Sequence, residues 1–219
     1  MIKKENLIAI GKQSIPLLLE RKGELIYSSH ETLKKGDIYL LGLNPGGEGF
    51  ITINEHLDKL LIKDTNSYLD ESWKNGISTW AEGEAPLQKR VDFLITSLGY
   101  KTKDVCASNL IFVTSKSSSE INYGLAGYCW RFHEKILEII KPKIILCFGI
   151  SDVSSYSYLL SLYEGAEEEI PSRHGNWKCK AFTTNIDGRK TTVIGIPHLS
   201  YYNIIDKKEV IKWIKGYIN

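Results

Sequence analysis

Four short apolar runs constrain this chain more than any other feature. They fall at residues 37–43, 105–113, 143–149 and 191–196. Each is close to continuous in apolar residues instead of alternating with polar ones, which is the pattern of a strand buried on both faces. Between them the spacing is helical. Residues 86–98 set Leu87, Val91, Leu94, Ile95 and Leu98 along one side, and Gly99 follows as a stop. Residues 128–140 do the same with Phe132, Ile136, Ile139 and Ile140, and Pro142 ends the pattern. Residues 151–163 read as a further helix, and Asp206-Lys207-Lys208-Glu209 has the form of a capping box before a last helix at 210–214. Strands alternating with helices predict an α/β fold, a three-layer α/β/α arrangement around a central, mainly parallel, four-stranded sheet. Asp187-Gly188, between 182–184 and the last run, is a hairpin turn signal.

The 219 residues, 42% hydrophobic and 25% charged, suit one soluble domain over 1–219 that buries its own core. No apolar run approaches the roughly 20 residues of a membrane helix. Residues 7–19 carry Lys12 and Gln13 and no clean cleavage site, so they read as a helix and not as a signal peptide. The expectation is a cytoplasmic monomer without membrane contact. Cys106, Cys129, Cys147 and Cys179 are scattered without a C-x-x-C pair, which predicts buried thiols and neither a metal nor another cofactor. A net charge of +2 neither marks nor excludes a nucleic-acid partner, since a DNA-scanning enzyme needs only local phosphate contacts. There is no Gly-x-Ser-x-Gly elbow, no Gly-x-Gly-x-x-Gly fingerprint, and no Lys-Ser/Thr after the glycines at 42–49. His133 and Glu134 are expected to face solvent, and Arg173 and His174 to lie in a solvated loop.

In open parallel sheets, ligands bind beyond the carboxyl ends of the strands. Three unusual groups fall there: Asn44 in Gly42-Leu43-Asn44-Pro45-Gly46-Gly47, Asn109 in Ser108-Asn109-Leu110-Ile111, and His198 in Pro197-His198-Leu199-Ser200-Tyr201-Tyr202. Taken singly, each has an ordinary reading: a structural turn, a strand-end amide and a surface histidine.

Taken in order, the segments resemble the uracil-DNA glycosylase superfamily. The first is similar to the Gly-x-Asn-Pro-Gly motif of the mismatch-specific and single-strand-selective branches. The second is similar to the strand whose Asn reads the base. The stretch from Cys129 through Pro142 to Gly149 resembles a scaffold segment of the iron–sulfur uracil glycosylases, and the last resembles the His-Pro-Ser-Pro motif with Leu199 at the first Pro. The resemblance spans about residues 37–203, and order with spacing is more specific than any one motif. It implies DNA as partner and hydrolysis of the bond between deoxyribose and uracil, or a related damaged pyrimidine, leaving an abasic site. A non-catalytic or altered-specificity relative binding a base, nucleotide or nucleic acid is the alternative.

By the same resemblance, Asn44 and His198 are the catalytic pair. Asn44 would position the attacking water, although an amide is no strong general base. His198 would donate to the O2 of the departing base, as an oxyanion hole does. Gly42, Leu43, Pro45 and Gly46 would shape the base site. Asn109, whose amide offers both donors and an acceptor, would read the N3–H and O4 edge of a base taken out of the stack. Trp80, or else Phe50, would stack on that base, and either can equally be core. Ser200, Tyr201 and Tyr202 would touch DNA, one tyrosine as a wedge, with a packed tyrosine pair as the competing reading. The iron–sulfur branch needs cysteine ligands near its N-terminus, where this chain has none, so no cluster is expected. The segment 48–52 matches no branch, which leaves the preferred base open.

Overall fold

A computed structural model describes residues 3–49, 51–74 and 76–218. In chain order it contains α1 (Leu7–Ser14), β1 (Ile38–Gly42), α2 (Ile53–Asp58), β2 (Trp73–Lys74), β3 (Thr79–Trp80), α3 (Pro86–Ser97), β4 (Cys106–Asn109), α4 (Leu125–Ile140), β5 (Ile144–Phe148), α5 (Ser155–Tyr163), β6 (Glu168–Pro171), β7 (Lys178–Ile186), β8 (Arg189–Ile196) and α6 (Lys208–Lys215). The fold is α/β. The central sheet has six strands in the order β4-β1-β5-β8-β7-β6, not the four expected.

The four apolar runs supply β4, β1, β5 and β8, paired in parallel. The two additional strands are antiparallel. Asp187-Gly188 does form the hairpin turn, joining β7 to β8, with both residues at positive φ. β7 and β6 escape an apolar-run reading because β6 is the edge strand and β7 lies next to it at the polar side of the sheet. Three of the four residues of β6 are exposed, and polar residues interrupt β7 throughout. β4 is shorter than the run that predicted it. Beyond Asn109 the chain leaves the ladder, and the Leu110 and Ile111 N–H groups donate to the carbonyls of Gly42, the last residue of β1, and of Leu43 just beyond it.

The parallel strands alternate their side chains between two cores. Tyr39, Leu41, Cys106, Ile145, Cys147 and Val193 point into one, with residues of α1, α2, α4 and α5. Ile38, Leu40, Ala107, Ile144, Leu146 and Ile194 point into the other, with residues of α3 and α6. Each large aliphatic side chain buried this way contributes about 1.5–3 kcal/mol. All four cysteines are buried thiols, and burial pushes them up to about 11 for Cys106 and about 12 for the others.

Two local expectations fail. His133 does not face solvent: α4 begins a turn earlier than its apolar pattern, and His133 is fully buried on it while Glu134 is exposed. Its Nε2–H donates to the Leu110 carbonyl (3.1 Å) and its Nδ1 accepts from the Tyr39 hydroxyl (2.8 Å), so both ring nitrogens are satisfied inside the core. The capping box before α6 does not form. Asp206 stands at φ 70° and Lys207 is the N-cap, with no side-chain cap bond. Among the described residues, no helix is long and apolar enough to cross a membrane.

Candidate functional site

The carboxyl ends of β1 and β4 lie side by side, with Gly42 opposite Asn109 in the ladder. A Cβ on residue 42 would collide with Oδ1 of Asn109, so a glycine is what lets this carboxamide lie across the strand. Asn109 is only 5% exposed, and its Nδ2 has no hydrogen-bond partner. An unpaired buried amide donor costs about 1–3 kcal/mol, which makes it a group awaiting a partner. Tyr27 packs against the face of β4 that Asn109 shares, and no hydrogen bond joins its hydroxyl to Nδ2. Burial first, then the negative charge of Glu24, holds Tyr27 well above the usual tyrosine range, so it remains an O–H.

Beyond β1, the chain turns through Asn44-Pro45-Gly46-Gly47. Gly47 has φ 93°, a conformation that favours glycine. Leu43 and Asn44 are half-buried, Pro45 is buried and Gly46 is exposed. The loop beyond β4 is tied to this one: Gly47 N–H donates to the Ser115 carbonyl (3.0 Å), and Ser115 N–H to the Pro45 carbonyl (3.1 Å). Nδ2 of Asn44 joins the same knot, donating to the Ser115 hydroxyl (2.8 Å), the Pro45 carbonyl (2.9 Å) and, more weakly, the Val113 carbonyl (3.4 Å). The amide hydrogens of Asn44 are therefore committed to the loop, and its acceptor Oδ1 is the atom left for a ligand or water.

His198 follows β8. The Ser200 N–H donates to its Nδ1 (3.1 Å). That bond requires an unprotonated Nδ1, so the neutral ring carries its hydrogen on Nε2 and offers one donor. Burial lowers its pKa, which keeps the ring neutral. The loop is clamped from α3, where Arg90 donates through Nη1 to the Leu199 (2.6 Å) and Ser200 (2.8 Å) carbonyls. Leu199, at the position of the missing proline, is fully buried. The two tyrosines part company. Tyr201 is 75% exposed, and Ser200 is exposed beside it. Tyr202 is fully buried, with its hydroxyl donating to the Ser172 carbonyl (2.6 Å), so it packs the core and is no DNA wedge as it stands.

Phe50 lies outside the described residues. Trp80 is half-buried in the β2–β3 hairpin opposite Trp73. Trp73 packs on Tyr68 (5.8 Å between rings), and Tyr68 on Tyr27 (5.6 Å). The ring brought to Asn109 is thus Tyr27, and Trp80 stands at the far end of an aromatic chain. Tyr27, Arg90 and Ser115 were not legible in the sequence. Tyr27 precedes the first strand in an irregular segment, Arg90 lies on a helix about 110 residues before the carbonyls it holds, and Ser115 is one serine among several in a short loop.

Asn44, Asn109 and His198 share one end of the sheet, on loops or ends of parallel strands. Among the described residues, no hydrogen bond or ring contact links His198 to either asparagine, and β8 lies two strand spacings from β1, about 10 Å, and three from β4, about 14 Å. A groove of about 480 Å³ lies elsewhere, between β6 and α6, lined by Glu168, Glu209, Lys212, Trp213, Gly216 and Tyr217. Among the described residues, no three His, Cys, Asp or Glu side chains are grouped to hold a metal.

Fold and site together define an α/β protein with a mostly parallel sheet and polar groups gathered at the carboxyl ends of its strands. Comparison of the chain with models of protein families and with curated protein sequences returned no match.

Proposed function

We propose that the chain is a DNA glycosylase of the uracil-DNA glycosylase type, hydrolysing the N-glycosidic bond of uracil or a related pyrimidine to leave an abasic site. The observation that carries this reading is the Asn109 carboxamide. It is buried, it lies over a glycine at a strand end, and its donor has no partner in the protein. A pyrimidine imide edge offers the donor and acceptor that such an amide lacks.

The other groups then take these roles. Oδ1 of Asn44 accepts from the attacking water, and Nε2–H of His198 donates to the base oxygen on which negative charge builds as the bond breaks. The leaving base departs as an anion stabilised by that donor, water adds to the sugar, and its proton passes to solvent. Tyr201 and Ser200 face the DNA. The same reading makes the protein a cytoplasmic monomer that engages DNA locally.

The commitment of the Asn44 amide to its own loop favours a second reading, a base binder that does not cleave. Oligonucleotides with one uracil, single-stranded or opposite G or A, separate the two. Alkali-revealed scission that is lost in Asn109→Ala and strongly reduced in His198→Ala supports the glycosylase. Uracil-dependent binding without scission supports the binder. The absence of both from a folded protein overturns the uracil reading.

A further inference from the structure

A carboxamide is nearly symmetric in shape. Turned by half about its last bond, it exchanges donor for acceptor and reads the opposite base edge: an imide, N–H beside C=O, in one orientation and an aminopyrimidine in the other. A site that discriminates between them needs something to hold the amide one way. The segment before the first strand supplies it.

Residues 24–27 run as a strap along β4. Glu24 N–H donates to the Phe112 carbonyl (2.9 Å), the Ser108 hydroxyl to the Leu25 carbonyl (2.5 Å), and Tyr27 N–H to the Ala107 carbonyl (2.8 Å). This pins Tyr27 two residues short of Asn109 in the ladder. Tyr68 braces its ring. Tyr27 packs in the core that takes Ala107, and Asn109, whose Nδ2 lacks a partner, lies on that same face of β4 two residues on. Behind Tyr27, Glu24 accepts from Lys63 Nζ and the Ser67 hydroxyl, both at 3.2 Å. That fixed negative charge opposes ionisation of Tyr27.

We infer that Tyr27 is a positioning residue for base selection: its hydroxyl oxygen accepts from Nδ2 of Asn109 when the site is occupied, fixing the carboxamide so that Oδ1 meets a base N–H. The second Nδ2 hydrogen then remains for the neighbouring carbonyl oxygen of the base. Together, Tyr27 and Asn109 present the acceptor and donor that complement an imide edge. The same pair opposes an aminopyrimidine, whose ring nitrogen would face Oδ1 lone pair to lone pair. The inference rests on the reading of Asn109 as the base-facing group.

The test follows the Asn109 side-chain NH2 signals of the ¹⁵N-labelled full chain, assigned by their loss in Asn109→Asp, during titration with single-stranded oligonucleotides containing uracil or cytosine at one position. In the wild type, the uracil strand moves these signals and binds in preference to the cytosine strand. Tyr27→Phe keeps the ring and its packing, retains the backbone amide spectrum, and lowers the uracil-over-cytosine preference about tenfold or more. A Tyr27→Phe protein with undiminished preference and an unchanged NH2 response overturns the role of Tyr27 while leaving Asn109 in place. A wild type whose NH2 signals respond to neither strand overturns the base-facing reading and this inference with it.

Discussion

Oδ1 of Asn109 occupies the space that a side chain on Gly42 would need, and the two residues are partners in the β1–β4 ladder. The glycine is therefore part of the candidate site, although it carries no functional group. Its φ lies outside the left-handed region, so alanine is acceptable to the backbone and intolerable only to the amide. Gly42→Ala should displace the carboxamide and reduce uracil-dependent binding or scission at least tenfold. The stability cost should be about 1–3 kcal/mol, that of overpacking a buried contact. Cleavage assays beside urea unfolding measure both. Full activity would remove Asn109 from the site.

Asn44→Asp is a sharper substitution than Asn44→Ala. A carboxylate is the better general base, but it would set an oxygen against the Pro45 and Val113 carbonyls, where Nδ2 now donates. The expected result is a loosened loop and no gain in rate. Single-turnover scission rates across pH would reveal it, and a marked increase at neutral pH would mean that the loop bonds of Asn44 are dispensable.

His198 should work as a neutral donor. Its folded pKa lies below the ordinary histidine value because of burial. Lowering the pH through 6.5 therefore leaves the folded ring neutral, and protonation at more acidic pH breaks the Ser200 N–H bond to Nδ1. The acid limb of a pH–rate profile should fall below pH 6.5 and vanish in His198→Ala.

Burial pushes His133 down to about 4, despite the opposing hydrogen bond to Leu110. The unfolded chain takes up this proton near pH 6.5 and the folded protein does not. Stability from this group is present above pH 6.5, is lost as pH falls, and levels off below about pH 4, for a total near 3 kcal/mol. Urea midpoints at several pH values should show this loss, and His133→Gln should flatten it. Because His133 holds the Leu110 carbonyl next to Asn109, acid unfolding should begin at the site end of β4.

Tyr201 and Tyr202 are adjacent in sequence and opposite in effect. Tyr201→Ala should weaken DNA binding with little change in melting temperature, since the side chain is largely exposed. Tyr202→Phe should cost about 1–3 kcal/mol by leaving the Ser172 carbonyl without its donor, with DNA affinity unchanged. Thermal melts and fluorescence anisotropy distinguish the pair.

The sequence alone carried the parallel part of the sheet, because strands buried on both faces must be apolar throughout, and that pattern needs no tertiary information. It also carried the placement of Asn44 and His198 beyond strand ends, because Pro and Gly interrupt the apolar runs there, whereas Asn109 ends its strand only because the chain leaves the ladder after it. Composition likewise sufficed for the buried thiols. What tertiary structure decided was everything set by contacts distant along the chain. β7 forms by pairing onto β8 and the edge strand β6 by pairing onto β7, and their polar faces hide them from an apolar pattern. His133 is buried because Tyr39 and Leu110 satisfy it inside α4's packed face, and Tyr202 because Ser172 does the same. The lie of the Asn109 carboxamide depends on a missing Cβ at Gly42, separated from it by 67 positions in the numbering of the chain. Local periodicity registers which face a residue takes on its own element. It does not register which remote group stands opposite, and here that opposing group distinguishes a bare amide from a candidate reader of bases.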